Sequence, residues 1–295
     1  MSKFLVTGGN GFIASHTIEA LKERGHSVIT TVRSSKHKDY LKDVEVYNID
    51  NRDVAGMRAL VEKVDGVINL AGILGTKIKA LTDLRPFIDN NIQGSLSVIE
   101  ACIATKVPLV QIAVGNYFEH NWYSITKTMV EGVALAGAKY LDGKINVVRG
   151  LNAYGERQKY KNTGKICSTF AVKLLRNEPI SVYGGKEDCS LMDMIYVKDL
   201  ANILVEVLEN GIKDNSYGNV IEAGTGEGYS VYDLAVKMKE ISGSTSEILE
   251  VPMRAGESKN SVVVAKHPYP YKFTDMDEAL EATIEYYRNN LDNLE

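Results

Sequence analysis

The chain is poor in cysteine, histidine, net charge and long apolar runs. Its three cysteines, Cys102, Cys167 and Cys189, are widely spaced and odd in number. That argues against a disulfide framework and for a reducing compartment. The five histidines have no ligand-like spacing, and no CxxC or HExxH pattern occurs, so no metal site is expected. Lys plus Arg number 34 against 38 Asp plus Glu, a formal net charge of −4. A general nucleic-acid binder carries the opposite imbalance. No apolar run approaches the ~20 residues that cross a bilayer, so no membrane partner is expected. Met1-Ser2-Lys3-Phe4 leads straight into a strand pattern. No signal peptide is therefore expected, and the cytoplasm is the expected location.

What the chain does have is length and alternation. Its 295 residues are about twice one typical domain. Up to Val148, short apolar runs alternate with helical patterns. Phe4–Val6, Val28–Ile29, Val44–Tyr47, Gly66–Leu70, Val107–Ala113 and Ile145–Val148 read as strands. Ser15–Glu23, Met57–Val64, Ile92–Ala104 and Tyr123–Leu141 read as helices. Such alternation predicts an α/β fold with a parallel sheet covered on both faces, and strands that are apolar throughout agree with two-sided burial. After Arg149 the pattern loosens into a polar loop over 154–165. Helices follow near 166–175 and 200–209, with strands over 180–183 and 194–197 and two more helices after 228. The expected organisation is a doubly wound main domain over 1–150 and a smaller mixed α/β C-terminal substrate cap over 151–295. Segments near 192–210 are expected to return to the main sheet.

The most specific local signal is TGGNGFIASH at residues 7–16, between the first strand and the first helix. Gly8 and Gly11 permit a tight turn and close approach of a phosphate, and Ala14 permits close helix–sheet packing. The N–H groups that open the helix, at Phe12 and Ile13, then face a pyrophosphate. This is the dinucleotide-binding signature of a Rossmann domain. The second strand ends in Thr31-Val32-Arg33-Ser34-Ser35 and carries no acid for the ribose hydroxyls of NAD. Arg33, aided by Ser34 or Ser35, suits the 2′-phosphate of NADP. The alternative is a solvated arginine in an NAD enzyme that lacks the acid.

Tyr123-Ser124-Ile125-Thr126-Lys127 is a YxxxK pattern at a helix start, with Asn121 as the expected N-cap. Positions i and i+4 share a helix face. A phenol of pKa about 10 is a poor base at neutral pH, and an ammonium beside it favours the phenolate. Lowering that pKa to neutrality takes ~4 kcal/mol, here assigned to Lys127 and a positively charged nicotinamide together.

TGGxGFIxSH and YxxxK at these places resemble the extended short-chain dehydrogenase/reductase family, mostly NAD(P)-dependent epimerases, dehydratases and reductases of nucleotide sugars. The resemblance implies cofactor contacts at Asp50 and Asn51 (adenine), at Leu70, Ala71 and Gly72, at Asn91 within Asp89-Asn90-Asn91-Ile92-Gln93-Gly94, and at Gly150. It implies Tyr123 as base, Lys127 on the nicotinamide ribose, and a homodimer through the helices near 92–104 and 123–141. Counting back from Tyr117, the family's Ser/Thr at the end of the fifth strand falls on Ala113, which cannot donate a hydrogen bond. Asn116, Ser124 or Thr126 is left to replace it, and Asn116 is the preferred candidate because its amide can donate. The acid pair of the sugar dehydratases would fall on Val114-Gly115. Glu119 and His120 lie nearby as a different pair, or as solvated loop residues.

Arg149-Gly150-Leu151-Asn152-Ala153-Tyr154-Gly155 resembles the family's substrate stretch, with Asn152 on the sugar diphosphate. Arg157 and Lys165 belong to a basic cluster suited to phosphates. Tyr183 stands where the family meets the nucleobase, and Arg254, in RAGE, where it meets phosphate. Met192 replaces a phosphate-clamping arginine. The resemblance thus implies a nucleotide-sugar epimerase of carbohydrate biosynthesis. It would oxidise the sugar transiently at C4 and return the hydride to the other face. An NADP-dependent 4-ketosugar reductase, a dehydratase and a catalytically silent nucleotide binder are the alternatives.

Overall fold

The computed structural model describes residues 1–34, 36–75, 83–161, 165–254 and 261–294. Along the chain run β1 (Lys3–Thr7), α1 (Phe12–Glu23), β2 (Ser27–Val32), β3 (Glu45–Asn48), α2 (Val54–Val61) and β4 (Gly66–Asn69). Then come α3 (Arg85–Phe87), a π-helical turn Ile88–Gln93, α4 (Gly94–Thr105), β5 (Leu109–Val114), α5 (Trp122–Tyr140) and β6 (Ile145–Gly150). Next are β7 (Asn152–Tyr154), α6 (Ile166–Leu175), β8 (Ile180–Tyr183), α7 (Gly185–Asp188), β9 (Leu191–Met192), β10 (Met194–Tyr196) and α8 (Val197–Asp214). The chain ends with β11 (Val220–Ala223), β12 (Tyr229–Ser230), α9 (Val231–Ser242), β13 (Ile248–Val251), β14 (Val262–Val263) and α10 (Met276–Asn289). The molecule divides into two compact units, Met1–Gly150 with Leu200–Glu222, and Leu151–Asp199 with Ala223–Glu295.

The first unit carries a seven-stranded sheet in the order β11-β6-β5-β4-β1-β2-β3. From β6 to β3, every neighbouring pair of strands is parallel. The fold is the doubly wound α/β sheet that the alternation predicts. All residues of β4 and β5 are buried, as apolar strands with helices on both faces require. Leu5, Ile29, Val67, Leu109 and Val147 join Val98, Ile99, Cys102, Val130 and Ala134 of α4 and α5 in one core. The chain leaves β3 through α2 and crosses to the far side of β1 before entering β4. The strand order therefore reverses between β1 and β4, and such sheets bind ligands beyond the carboxyl ends of those strands. Local chemistry sets the helix starts. Asp53 accepts from the Gly56 N–H at 3.0 Å and caps α2, and Asn121 accepts from the Ser124 N–H at 2.9 Å and caps α5, as its residue type predicts.

The second unit is a mixed α/β body. β7 pairs with β10, and β8 with β13, both in parallel. β9 lies between antiparallel β12 and parallel β14, while α6, α9 and α10 pack on one another. Strands of two to four residues are too short to show an alternating pattern, so β7, β9 and β12–β14 are not legible in the sequence. The strand over 194–197 exists as β10, but it pairs with β7 and not with the main sheet. The late strand in the main sheet is β11, which the sequence pattern did not mark.

Candidate active site

The switch point is built from Thr7 outward. Its hydroxyl donates to Asn69 Oδ1 at 2.6 Å and accepts the N–H groups of Leu70 and Ala71, both at 3.0 Å. One buried hydroxyl thus ties the end of β1 to the loop after β4. Asn69 Nδ2 donates to Gln111 Oε1 at 2.8 Å, and Gln111 Nε2 to the Ile112 carbonyl at 2.9 Å. All three polar side chains are fully buried, so each group needs its partner. No local motif in the sequence marks the Thr7 hydroxyl or Gln111 for this role. The signal was a polar residue inside or at the end of each apolar strand run.

Gly8 follows with φ +74°, the left-handed region that favours glycine. A Cβ there would lie 3.1 Å from Ala71 Cα, and one on Gly11 would lie 2.9 Å from the Gly8 carbonyl oxygen. The Gly11 N–H donates to that oxygen at 2.8 Å. Gly11 is the N-cap of α1 and has no side-chain cap, which leaves the N–H groups of Phe12 and Ile13 without intrahelical partners. A Gly72 Cβ would meet Asn91 Oδ1 at 3.0 Å. This backbone-lined cradle fits a dinucleotide pyrophosphate.

Two residues implied at the cofactor spend their polar atoms elsewhere. Asp50 takes Arg52 in two bonds, to Nε at 2.9 Å and Nη2 at 2.8 Å, and the Arg52 side chain holds its carboxyl below the usual range. Fully buried Asn91 accepts from the Ile73 N–H at 2.8 Å, and its Nδ2 donates to the Ile73 carbonyl and to Thr126 Oγ1, both at 3.2 Å. It braces the loop after β4 against α5. Buried Asn51 accepts from Thr31 Oγ1 at 3.0 Å, while its Nδ2 has no partner among the described residues. Arg33 is exposed and bonds the Asn90 side chain. Ser34 Oγ accepts from the Lys36 N–H at 3.1 Å. Ser35 lies outside the described residues.

Tyr123 and Lys127 stand one turn apart near the start of α5. Tyr123 is half-buried, and Lys127 is only 4% exposed. Neither the phenol nor the ammonium has a hydrogen-bond partner among the described residues. Burial pushes the phenol up to about 12 and the ammonium down to about 8. Both shifts belong to the fold without its cofactor, whereas the expected phenolate draws on Lys127 and a positively charged nicotinamide together. Without the cofactor's positive charge, desolvation dominates both groups. Ionising a phenol of pKa about 12 at neutral pH costs about 7 kcal/mol.

Ala113 is buried within β5. Of its three possible substitutes, Thr126 is already committed: its hydroxyl donates to the Trp122 carbonyl at 2.7 Å and accepts from Asn91. Ser124 is fully buried, and its hydroxyl has no partner among the described residues. Asn116 is half-buried just beyond β5, and its amide has no partner among the described residues. His120 is exposed and Glu119 half-buried. Arg149 places its guanidinium 4.1 Å from the Tyr117 ring centre and bonds Glu131 of α5 through Nε at 3.0 Å. The Gly150 carbonyl accepts from the Gly115 N–H at 3.0 Å. Together these contacts fix the loop that carries Asn116.

In the second unit, the Arg254 guanidinium lies 3.8 Å from the Tyr183 ring centre. The structure therefore joins two residues that stand far apart along the chain. The rest of the RAGE motif lies outside the described residues. Asn152 Nδ2 donates to the Asp193 carbonyl at 3.1 Å, and its Oδ1 has no partner among the described residues. Lys165 opens α6, and burial pulls its ammonium down. Arg157 is half-buried with φ +66°. The Gly224-Thr225-Gly226 turn is pinned by buried Asp193, whose carboxylate accepts from Thr225 N, Thr225 Oγ1 and Gly226 N at 2.8–2.9 Å. Those N–H groups are thereby unavailable to a phosphate.

Comparison with known proteins agrees with this geometry. The family model described as NAD dependent epimerase/dehydratase family matches residues 4–220. A UDP-N-acetyl-alpha-D-glucosaminuronate decarboxylase of Bacillus cytotoxicus is 26% identical over 274 residues, covering 84% of this chain and 83% of its own. A UDP-glucose 4-epimerase of Thermotoga maritima, solved with UDP-glucose, superposes with a TM-score of 0.86 at 26% identity, covering 98% of this chain and 99% of its own. A UDP-glucose 4-epimerase of Thermus thermophilus, solved with NAD, gives 0.81 at 25% identity over 97% and 99%.

Proposed function

The chain belongs to the NAD dependent epimerase/dehydratase family, and from that membership we propose that it epimerises a nucleotide-diphosphate sugar by transient oxidation at C4. The observation that carries this reading is the unpaired Tyr123/Lys127 pair on α5. A lysine 4% exposed with no carboxylate or hydrogen bond is costly unless a ligand supplies its partner.

Gly8, Gly11, Phe12 and Ile13 hold the pyrophosphate, and Leu70, Ala71 and Gly72 flank it. Asn51, with its spare Nδ2, serves the adenine in place of Asp50. Lys127 takes the hydroxyls of the nicotinamide ribose. Bound there, the nicotinamide supplies the hydride acceptor and donor. Tyr123 removes the proton from the C4 hydroxyl as the hydride leaves and returns it after the keto sugar has turned its other face. The ammonium of Lys127 and the charge of oxidised nicotinamide offset the cost of the phenolate. Asn116 donates to the reacting oxygen where Ala113 cannot. Asn152, Arg157, Lys165, Tyr183 and Arg254 hold the nucleotide diphosphate, with Tyr183 on the base and Arg254 on phosphate.

The test is conversion of UDP-glucose without added cofactor, followed by proton NMR. Tyr123→Phe should lower turnover by about 10² or more while leaving cofactor binding unchanged. Unaltered turnover would remove Tyr123 as the base. A second reading, an NADP-dependent 4-ketosugar reductase, draws on Arg33 and the missing acid after β2. It requires stoichiometric NADPH consumption with a keto sugar. Dehydration is disfavoured because Val114 and Gly115 supply no acid pair.

We further propose a homodimer through α4 and α5. Met129, Gly132, Val133, Ala136 and Tyr140 form an exposed stripe along α5, with Met129 54%, Val133 41% and Tyr140 72% exposed. Such spacing makes one helix face, and no described residue lies within 4 Å of a Cβ built on Gly132, so another helix can approach closely. Among the described residues no helix is long and apolar enough to cross a membrane. Three buried, free cysteines suit a cytoplasmic location, which subcellular fractionation would check.

A further inference from the structure

The second unit contains a cavity of about 190 Å³. No residue assigned above to cofactor, sugar or nucleotide lines it. A cavity of about 150 Å³ accommodates benzene, so this one takes a ligand of six or so heavy atoms.

Its walls are aromatic and acidic. Tyr154, Tyr196, Tyr229 and Phe273 supply ring surface, and Asp199, Glu227 and Asp275 supply carboxylates. No lysine, arginine or histidine lines it. The nearby cations are already paired, Lys198 with Glu156 at 2.8 Å and Lys237 with Asp277. Most wall polar groups are also engaged. Asp199 accepts from Thr274 N at 2.9 Å and Thr274 Oγ1 at 2.8 Å. The Tyr196 hydroxyl donates to Glu156 Oε1 at 2.8 Å, and that of Tyr229 to Glu227 Oε2 at 3.3 Å.

Tyr154 is the exception. It is 2% exposed, lines the cavity, and its hydroxyl has no hydrogen-bond partner among the described residues. It lies within electrostatic reach of Asp199, Tyr196 and Tyr229, all cavity walls. A buried phenol without a partner is unfavourable, and a ligand atom in the cavity would relieve it. The surplus of negative charge sets the ligand's sign. Ring faces with carboxylates suit an ammonium whose carbon chain lies against the aromatic walls.

We propose that this cavity binds a small alkylammonium ion, its carbon chain against the tyrosine and phenylalanine rings and its N–H groups on the Tyr154 hydroxyl and the Glu227 carboxylate. This goes beyond the epimerase reading and does not depend on it.

The probe is putrescine, titrated calorimetrically into the full-length protein, with 1,4-butanediol as the neutral chain of equal length. Saturable binding of putrescine below about 10 mM, absent for the diol, is expected. Glu227→Gln, on the exposed rim, should weaken putrescine about tenfold, and Tyr154→Phe by a similar factor. Glu227→Gln should leave UDP-glucose conversion unchanged. No saturation by 10 mM, equal binding of the diol, or an unchanged Kd in Glu227→Gln would each overturn the proposal. Glu227→Gln carries the test alone if Tyr154→Phe does not fold.

Discussion

Replacing Thr7 with valine keeps the shape of the side chain and removes one hydroxyl. That hydroxyl makes three bonds, one to Asn69 Oδ1 at 2.6 Å and two from the Leu70 and Ala71 N–H groups at 3.0 Å. Asn69 is fully buried, so its oxygen would remain unpaired. Leu70 and Ala71 are half-buried, and their N–H groups would regain part of their hydration. An unpaired buried group costs ~1–3 kcal/mol. One full penalty and two partial ones give about 2–4 kcal/mol, below the ~5–15 kcal/mol typical of a folded domain. The variant should therefore fold with its urea midpoint lowered by about 1–2 M. NAD affinity should fall as well, because the Ala71 loop lies so close to Gly8 that a Cβ there would come within 3.1 Å of the Ala71 Cα, and in the variant that loop loses an anchor. Thr7→Ser retains the hydroxyl and should keep most of both properties. Urea melts followed by circular dichroism, with NAD titrations beside them, measure this. A Thr7→Val protein within about 0.5 kcal/mol of wild type, or a Thr7→Ser protein that falls as far as valine, would refute this role of the hydroxyl.

The Lys127 ammonium, held at about 8 in the cofactor-free fold, titrates near 10.4 when unfolded. Between those values the unfolded chain binds more protons, so stability should rise with pH over about 8–10, with the full penalty present below pH 8. Lys127→Met should stabilise the cofactor-free protein by up to about 3 kcal/mol at neutral pH and abolish turnover. Equal pH profiles for the two proteins would contradict this. Arg33→Ala should weaken NADPH about tenfold or more and NADH little, as titrations with both cofactors would show; equal effects would end the NADP preference. Val133→Glu places a charge in the exposed stripe of α5 and should shift sedimentation from dimer to monomer while the circular dichroism of the folded chain stays the same. A monomeric wild type, or an unchanged dimer in the variant, would exclude that interface.

The phosphate loop, the YxxxK pair and the order of the main elements were legible because each depends on neighbours in sequence. A glycine turn between strand and helix, a shared helix face and a side chain capping its own helix are local events. Gly8 at φ +74° and Asn121 on the Ser124 N–H are such cases, and the parallel sheet follows from continuous apolar runs that must be covered twice. Contacts between distant residues were not legible. Nothing near Thr7 announces Asn69 and Gln111. The stacking of Arg254 on Tyr183 and the aromatic cavity around Tyr154 bring together residues from separate elements. The state of the pair on α5 was also beyond the sequence. Residue spacing puts an ammonium beside a phenol, but burial decides which effect dominates, and here desolvation pushes Tyr123 up and Lys127 down. The sequence alone thus determined the glycine turn between first strand and first helix and the phenol and ammonium set one helical turn apart. Only the tertiary structure decided which polar atoms find a partner and which do not, because solvent exclusion and partner geometry arise only when distant segments pack.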